Sequence, residues 1–176
     1  MTKSDETLAF LAKDGDGVAF RQLLERHYDT VYRVAYRFLG SAADAEDLAQ
    51  EVCADLAMKI AGFKGLSRFT TWLYSVTLNA VRDRARRQAA QKKLQVNYVA
   101  FAAQQAADWA DSDTRVRWLY QALDAQDQGL KETALLVLAE NLSHAEAGAA
   151  LGISEGTVSW RMHEVKKRLK AMARDD

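Results

Sequence analysis

The residues best equipped for chemistry lie between Phe63 and Lys93, where aromatic, amide and basic side chains fill one loop and the helix after it. Residues 61–93 hold eight Lys or Arg (Lys64, Arg68, Arg82, Arg84, Arg86, Arg87, Lys92 and Lys93) against one acid, Asp83. Such a local surplus is the electrostatic footprint of a polyanion partner. The loop supplies Phe63, Lys64, Ser67 and Arg68, and the helix opens with Phe69 and Trp72. Rings beside cations suit unstacked nucleic-acid bases, because stacking on an aromatic contributes ~1–3 kcal/mol per base while cations follow the phosphates. Duplex DNA hides its base faces, so the stretch predicts contact with separated strands. Phe69, Trp72, Leu73, Val76 and Ala80 also recur at helical spacing, so a packing role for Phe69 and Trp72 stands beside the stacking role. Asn79, an amide in mid-helix with no packing motive, is read as a hydrogen-bonding group on a basic face with Arg82 and Arg86.

The elements that must position these groups are helices. The 176-residue chain has no proline and almost no β-branched alternation, and Ala, Leu, Gln, Glu, Lys and Arg dominate it. That composition predicts an all-α fold large enough for one ordinary core or two small ones. Charge is formally balanced but segregated, with residues 1–60 and 94–160 acidic and 61–93 and 161–176 basic. Two nucleic-acid contacts and at least one surface for a basic partner are therefore expected. Cys53 is the only cysteine and reads as a small buried hydrophobe. With no apolar run of membrane-spanning length and no signal-peptide core, a cytoplasmic protein without membrane insertion is expected.

Along the chain, Ser4–Lys13 reads as a short helix, 14–17 as a turn, and Val18–Leu39 as a longer helix stopped by Gly40. His27 lies on or beside its apolar stripe and is read as a packing histidine. Ser41 starts a third helix, with Leu48, Val52, Leu56 and Ile60 along one side and Asp44, Asp47, Glu51 and Asp55, with Gln50 beside them, along another. Stacked like charges repel by a few tenths of a kcal/mol per pair. The helix dipole accounts for Asp44 and Asp47 but not for Glu51 and Asp55, so the stripe is read as meeting a basic protein surface.

The basic helix, 68–90, runs into a weakly periodic segment, 91–113, read as a linker with Tyr98, Phe101 and Trp109 as docking residues. A second domain follows from Thr114. One helix carries Val116, Leu119, Tyr120 and Leu123, and a second spans Leu130–Glu140. Ser143 and Glu146 form a capping box, Gly152 ends that short helix, and Ser154 caps the next, with Ile153 and Val158 as a hydrophobic staple. Two helices joined this way make a helix-turn-helix, with Gly148 and Ala149 small enough for close packing. Val158, Met162, Val165 and Leu169 point inward, leaving Thr157, Ser159, Trp160, Arg161, His163, Glu164, Lys166 and Lys167 outward toward a major groove.

Taken together, DAEDLAQEV, FKGLSRFTTWLYSVTLNAVRD and LSHAEAGAALGISEGTVSWRMHEVKKRLK resemble the extracytoplasmic-function (ECF) group of RNA polymerase sigma factors in the sigma-70 family. The resemblance covers residues 7–172 in order. It implies a sigma-2-like helical domain over 1–90, a linker over 91–113 and a sigma-4-like helix-turn-helix domain over 114–176. It implies that Asp44, Asp47, Gln50, Glu51 and Asp55 bind core RNA polymerase, whose largest-subunit clamp and flap region are the expected contacts. Phe63, Lys64, Ser67, Arg68, Phe69, Trp72, Asn79, Arg82 and Arg86 would bind the promoter −10 element. Ser154, Thr157, Ser159, Trp160, Arg161, His163, Lys166 and Lys167 would bind the −35 element. An anti-sigma factor is the further partner implied. In this chain Ala125 and Gln126 stand where relatives commonly have Leu-Pro, and Leu66 where an acid is frequent.

A helix-turn-helix regulator with an N-terminal protein-interaction domain would explain 114–176 but leave the aromatic-basic loop idle. No metal spacing joins Cys53, His27, His144 and His163, and no phosphate loop or nucleophile motif is present, so neither a cofactor nor catalysis is expected.

Overall fold

The structure is a computed structural model that describes residues 3–92, 121–124 and 126–175. Every regular element among them is helical, as the composition predicts. The chain divides into two compact units, Met1–Asp108 and Trp109–Asp176. Of the linker read at 91–113, residues 91 and 92 are helical instead, continuing the basic helix, and the rest, with Tyr98, Phe101 and Trp109, lies outside the described residues, as do Val116, Leu119 and Tyr120 of the helix read after it.

In the first unit α1 spans Asp5–Lys13, α2 Gly17–Leu39, α3 Ala42–Lys59 and α4 Phe69–Lys92, with a 3₁₀ turn at Ile60–Gly62 after α3. Side-chain oxygens start the first three helices. Ser4 accepts from Thr7 N–H, Asp16 from Val18 and Ala19, and Ser41 from Asp44, each satisfying backbone donors that a first turn leaves orphaned. Gly40 ends α2 at φ 68°, a left-handed conformation glycine adopts without strain. Leu23, Val31 and Ala35 of α2, Leu48, Val52 and Leu56 of α3, and Phe69, Leu73, Val76 and Val81 of α4 fill one core. His27 is buried in it, with Nε2 2.9 Å from Asp5 Oδ2 and its ring 5.3 Å from that of Phe69. The packing reading of His27 stands.

In the second unit α5 spans Gln128–Ala134 and passes into a π-helical turn at Leu135–Ala139, α6 spans His144–Leu151 and α7 Glu155–Asp175. Both bonds of the Ser143–Glu146 capping box are present, and Gly152 closes α6 at φ 70°. Ser154 Oγ accepts from Thr157 N–H at 3.1 Å, so it caps α7. The helix-turn-helix is thus built by its own local signals. Gly148 is required there, because a Cβ would lie 2.8 Å from the Ile153 carbonyl oxygen. Ala149 is exposed, correcting its assignment to the contact, while Ala147 and Ala150 are buried.

Among the described residues no helix is long and apolar enough to cross a membrane, and no group of three metal-ligating side chains is placed to hold a metal ion. Cys53 is half-buried rather than buried, and burial pushes its thiol above the ordinary range.

Candidate nucleic-acid interface

The loop before α4 is held at both ends. Phe63 and Phe69 are 1% and 0% exposed, their centroids 5.7 Å apart edge to face, with Phe10 5.6 Å from Phe63. This corrects the stacking role expected of both phenylalanines, since each ring is already enclosed and no base can reach it. A ring sealed in the core stabilises more than one left wet, by about 1.5–3 kcal/mol, so packing wins. Trp72 is half-buried against the same pair, 5.6 Å from Phe63 and 5.7 Å from Phe69. It alone of the three keeps accessible surface.

Between the two anchors, Lys64, Gly65, Leu66 and Arg68 are exposed, and Leu66 reaches 90%. Gly65 sits at φ 69°, with Phe10 directly beneath it. Two bonds from α1 hold the loop ends. Lys13 Nζ donates to the Phe63 carbonyl at 3.3 Å, and Glu6 Oε1 accepts from Phe69 N–H at 3.1 Å. Ser67 Oγ donates to the Arg68 carbonyl at 3.3 Å. Glu6 and Lys13 escaped the sequence reading because each acts at a separation of 50 residues or more.

Along α4 the exposed side carries Asn79, Arg86 and Arg87. Arg82 Nη1 donates to Asn79 Oδ1 at 3.2 Å, and Arg86 pairs with Asp83 one turn back. Arg86 offsets the one acid of this face, and its neighbour Arg87 leaves the face basic. Arg84 turns to the other side, onto α3. Its Nη2 lies 2.6 Å from Asp44 Oδ1 and 3.7 Å from Asp47 Oδ2, and its Nη1 3.6 Å from Glu51 Oε1. The like charges of the acidic stripe therefore have an intramolecular counter-charge. Asp47 and Glu51 stay 70% and 55% exposed at their side chains, Gln50 is exposed, and Asp55 pairs with Lys59 at 2.9 Å.

Of the residues read as facing DNA here, the cap Ser154 and, on α7, Ser159, Trp160 at 63%, His163, Lys166 and Lys167 are exposed, and Thr157 is half-buried. His163, Lys166, Lys167 and Lys170 fall at spacings of three, one and three and so share one side of the helix. Ser154 and Thr157 share a hydroxyl bond of 2.8 Å, and Ser159 Oγ lies 2.8 Å from His144 Nδ1, joining α7 to α6. Arg161 departs from its outward assignment. Its Nη1 donates to the Gly129 carbonyl at 3.2 Å and to Thr133 Oγ1 at 3.4 Å, so it ties α7 to α5. Glu164 is taken up by Arg168 at 2.8 Å, and that guanidinium holds its carboxyl below the ordinary range.

The Sigma-70 region 2 family model matches residues 23–91, the segment that contains the acidic stripe, the loop and most of α4. The ECF RNA polymerase sigma factor SigW of Bacillus subtilis is 30% identical over 174 residues, 93% of each chain. The RNA polymerase sigma factor CarQ of Myxococcus xanthus is 30% identical over 161 residues, 91% of this chain and 92% of that one. The solved structure of CnrH in complex with the cytosolic domain of CnrY is similar over 99% of both chains, with a TM-score of 0.73 at 25% identity. A likeness at 30% identity that covers more than nine-tenths of such relatives and takes in both helical units settles the matter of kinship: the chain belongs to the ECF RNA polymerase sigma factors.

Proposed function

We propose that this alternative sigma factor, the promoter-specificity subunit of bacterial RNA polymerase, divides its work among three surfaces. Residues 1–90 act as the domain for core enzyme and the −10 element, 91–113 as a linker, and 114–176 as the −35 domain. Asp47, Gln50, Glu51 and Asp55 form the face for core polymerase, with Asp44 behind it. Lys64, Ser67, Arg68, Trp72, Asn79, Arg82 and Arg86 take the −10 element as separated strand. Ser154, Thr157, Ser159, Trp160, His163, Lys166 and Lys167 take the −35 element as duplex.

The observation that carries this reading is the loop 64–68, exposed between two phenylalanines that are fully enclosed. Holding a base outside the stack costs a few kcal/mol, and a loop that must capture it cannot also lose entropy on binding. Buried anchors at both ends fix the loop in advance. Phe63 and Phe69 thus serve promoter opening from beneath, as supports for Trp72 and the loop. Lys64 and Arg68, exposed on that loop, supply the cations that the phosphates of a captured strand need.

CnrH is solved with the cytosolic domain of CnrY bound to it. By that likeness we extend to this chain an anti-sigma partner that covers its polymerase and DNA surfaces.

Run-off transcription with purified core polymerase tests the division of labour. Asn79→Ala, on an exposed side chain, is expected to reduce open-complex formation about tenfold while core affinity stays within twofold. Asp47→Asn with Glu51→Gln is expected to do the reverse. Equal losses of both properties in each variant would overturn the assignment.

A further inference from the structure

Arg84 of α4 is directed at the acidic side of α3, and the −10 reading makes no use of it. Its side chain is 17% exposed, against 70% for Asp47 and 55% for Glu51. The guanidinium therefore lies beneath the carboxylates. Asp44, at 25%, is the member it grips, at 2.6 Å, while Asp47 and Glu51 stand 3.7 and 3.6 Å away as looser ion pairs. A planar guanidinium with five N–H donors can serve several carboxylates at once, and an ionised carboxylate has about four lone-pair sites. Arg84 consequently leaves the outer oxygens of Asp47 and Glu51 open to a second cation.

We infer that Arg84 is a positioning residue for polymerase docking: it holds Asp47 and Glu51 splayed toward solvent in the geometry that a basic helical partner accepts. Without it, carboxylates spaced three, four and seven residues apart on one face would repel and each sample its rotamers independently. The partner would then have to order them, at a loss of affinity. Because Arg84 stands on the helix whose opposite side faces DNA, the docking surface is anchored to the strand-gripping element itself. The inference rests on the docking role proposed above for Asp47 and Glu51.

The test is a double-mutant cycle read as affinity for core polymerase by competition with a labelled sigma factor, with a thermal melt of each variant. Arg84→Met is expected to weaken core binding about fivefold, and Arg84→Lys to recover part of it. Combined with Asp47→Asn and Glu51→Gln, Arg84→Met is expected to add little further loss, because its targets are already gone. A merely structural arginine would give losses that multiply, and that result overturns the inference. Should Arg84→Met fail to fold, Asp44→Asn frees the guanidinium from its anchor without removing the charge, and weaker core binding is again expected; unchanged binding refutes the role. If Asp47→Asn and Glu51→Gln leave core affinity intact, the docking reading itself falls. If they weaken it and Arg84→Met does not, only the role of Arg84 falls.

Discussion

Glu6 offers the sharpest check on how the loop is held. Trp72 N–H bonds to the Arg68 carbonyl at 3.1 Å, which makes Arg68 the residue before the first turn of α4. An arginine side chain has no acceptor, so it cannot cap the helix it precedes. Glu6 supplies the acceptor from 63 residues away, at 3.1 Å from Phe69 N–H. Its carboxylate also lies in the first turn of α1 and is held below its ordinary pKa of 4.5, first by its own backbone N–H and then by that of Phe69. One charge thus complements the positive ends of two helices. Removing a cap costs about 0.5–2 kcal/mol, and losing the charge near a helix N-terminus about 0.3–1. Glu6→Ala should accordingly destabilise the first unit by about 1–2 kcal/mol, which in a domain of this size lowers Tm by roughly 5–10 °C. Glu6→Gln keeps an acceptor and should lose only the charge part, about 0.3–1 kcal/mol. A group whose folded pKa is depressed contributes stability above its unfolded pKa and loses it as pH falls through the folded value. The gap between wild type and Glu6→Gln should therefore be full at neutral pH and close below 4.5. Thermal melts followed by circular dichroism at a series of pH values measure all of this. Equal Tm losses for Gln and Ala, or a gap that persists in acid, would refute a charged cap.

Other positions make independent demands. Gly148→Ala should lower the Tm of the helix-turn-helix unit by several degrees, because its Cβ would meet a backbone oxygen at 2.8 Å and main chain cannot yield as a side chain would. The same substitution at Gly152 should also destabilise, through its φ of 70° alone and with no clash, so the melts of the two variants separate conformational strain from contact. Lys166→Ala with Lys167→Ala should weaken binding to a −35 duplex in proportion across sequences and flatten the slope of log affinity against log salt by up to about 1.8; an unchanged slope would remove both from the phosphate contacts.

How far the sequence reached depends on the range of each interaction. The start of α3, the capping box of α6, the glycine stops at Gly40 and Gly152 and the cap of α7 were legible, because each is decided within four residues. The aromatic loop was legible as a site and misread in its parts. Flat rings beside cations fit both base stacking and a core edge, and only the return of α1 across the 3₁₀ turn, which places Phe10 against Phe63, decides for the core. Arg84 and Arg161 carried a signal that a basic count conceals. Leu73, Thr77, Ala80 and Arg84 step by four, three and four, so Arg84 continues the inner stripe of α4, whereas Asn79, Arg82 and Arg86 step along the outer one. Val158, Arg161 and Val165 step likewise by three and four on α7. A guanidinium on an inward stripe must find oxygens, and both do: carboxylates of α3 for Arg84, a carbonyl and a hydroxyl of α5 for Arg161. Arg84 and Arg161 are therefore told apart from Arg82 and Arg86 by helical phase rather than by number. In phase with the apolar stripe, each joins its own helix to a neighbouring one.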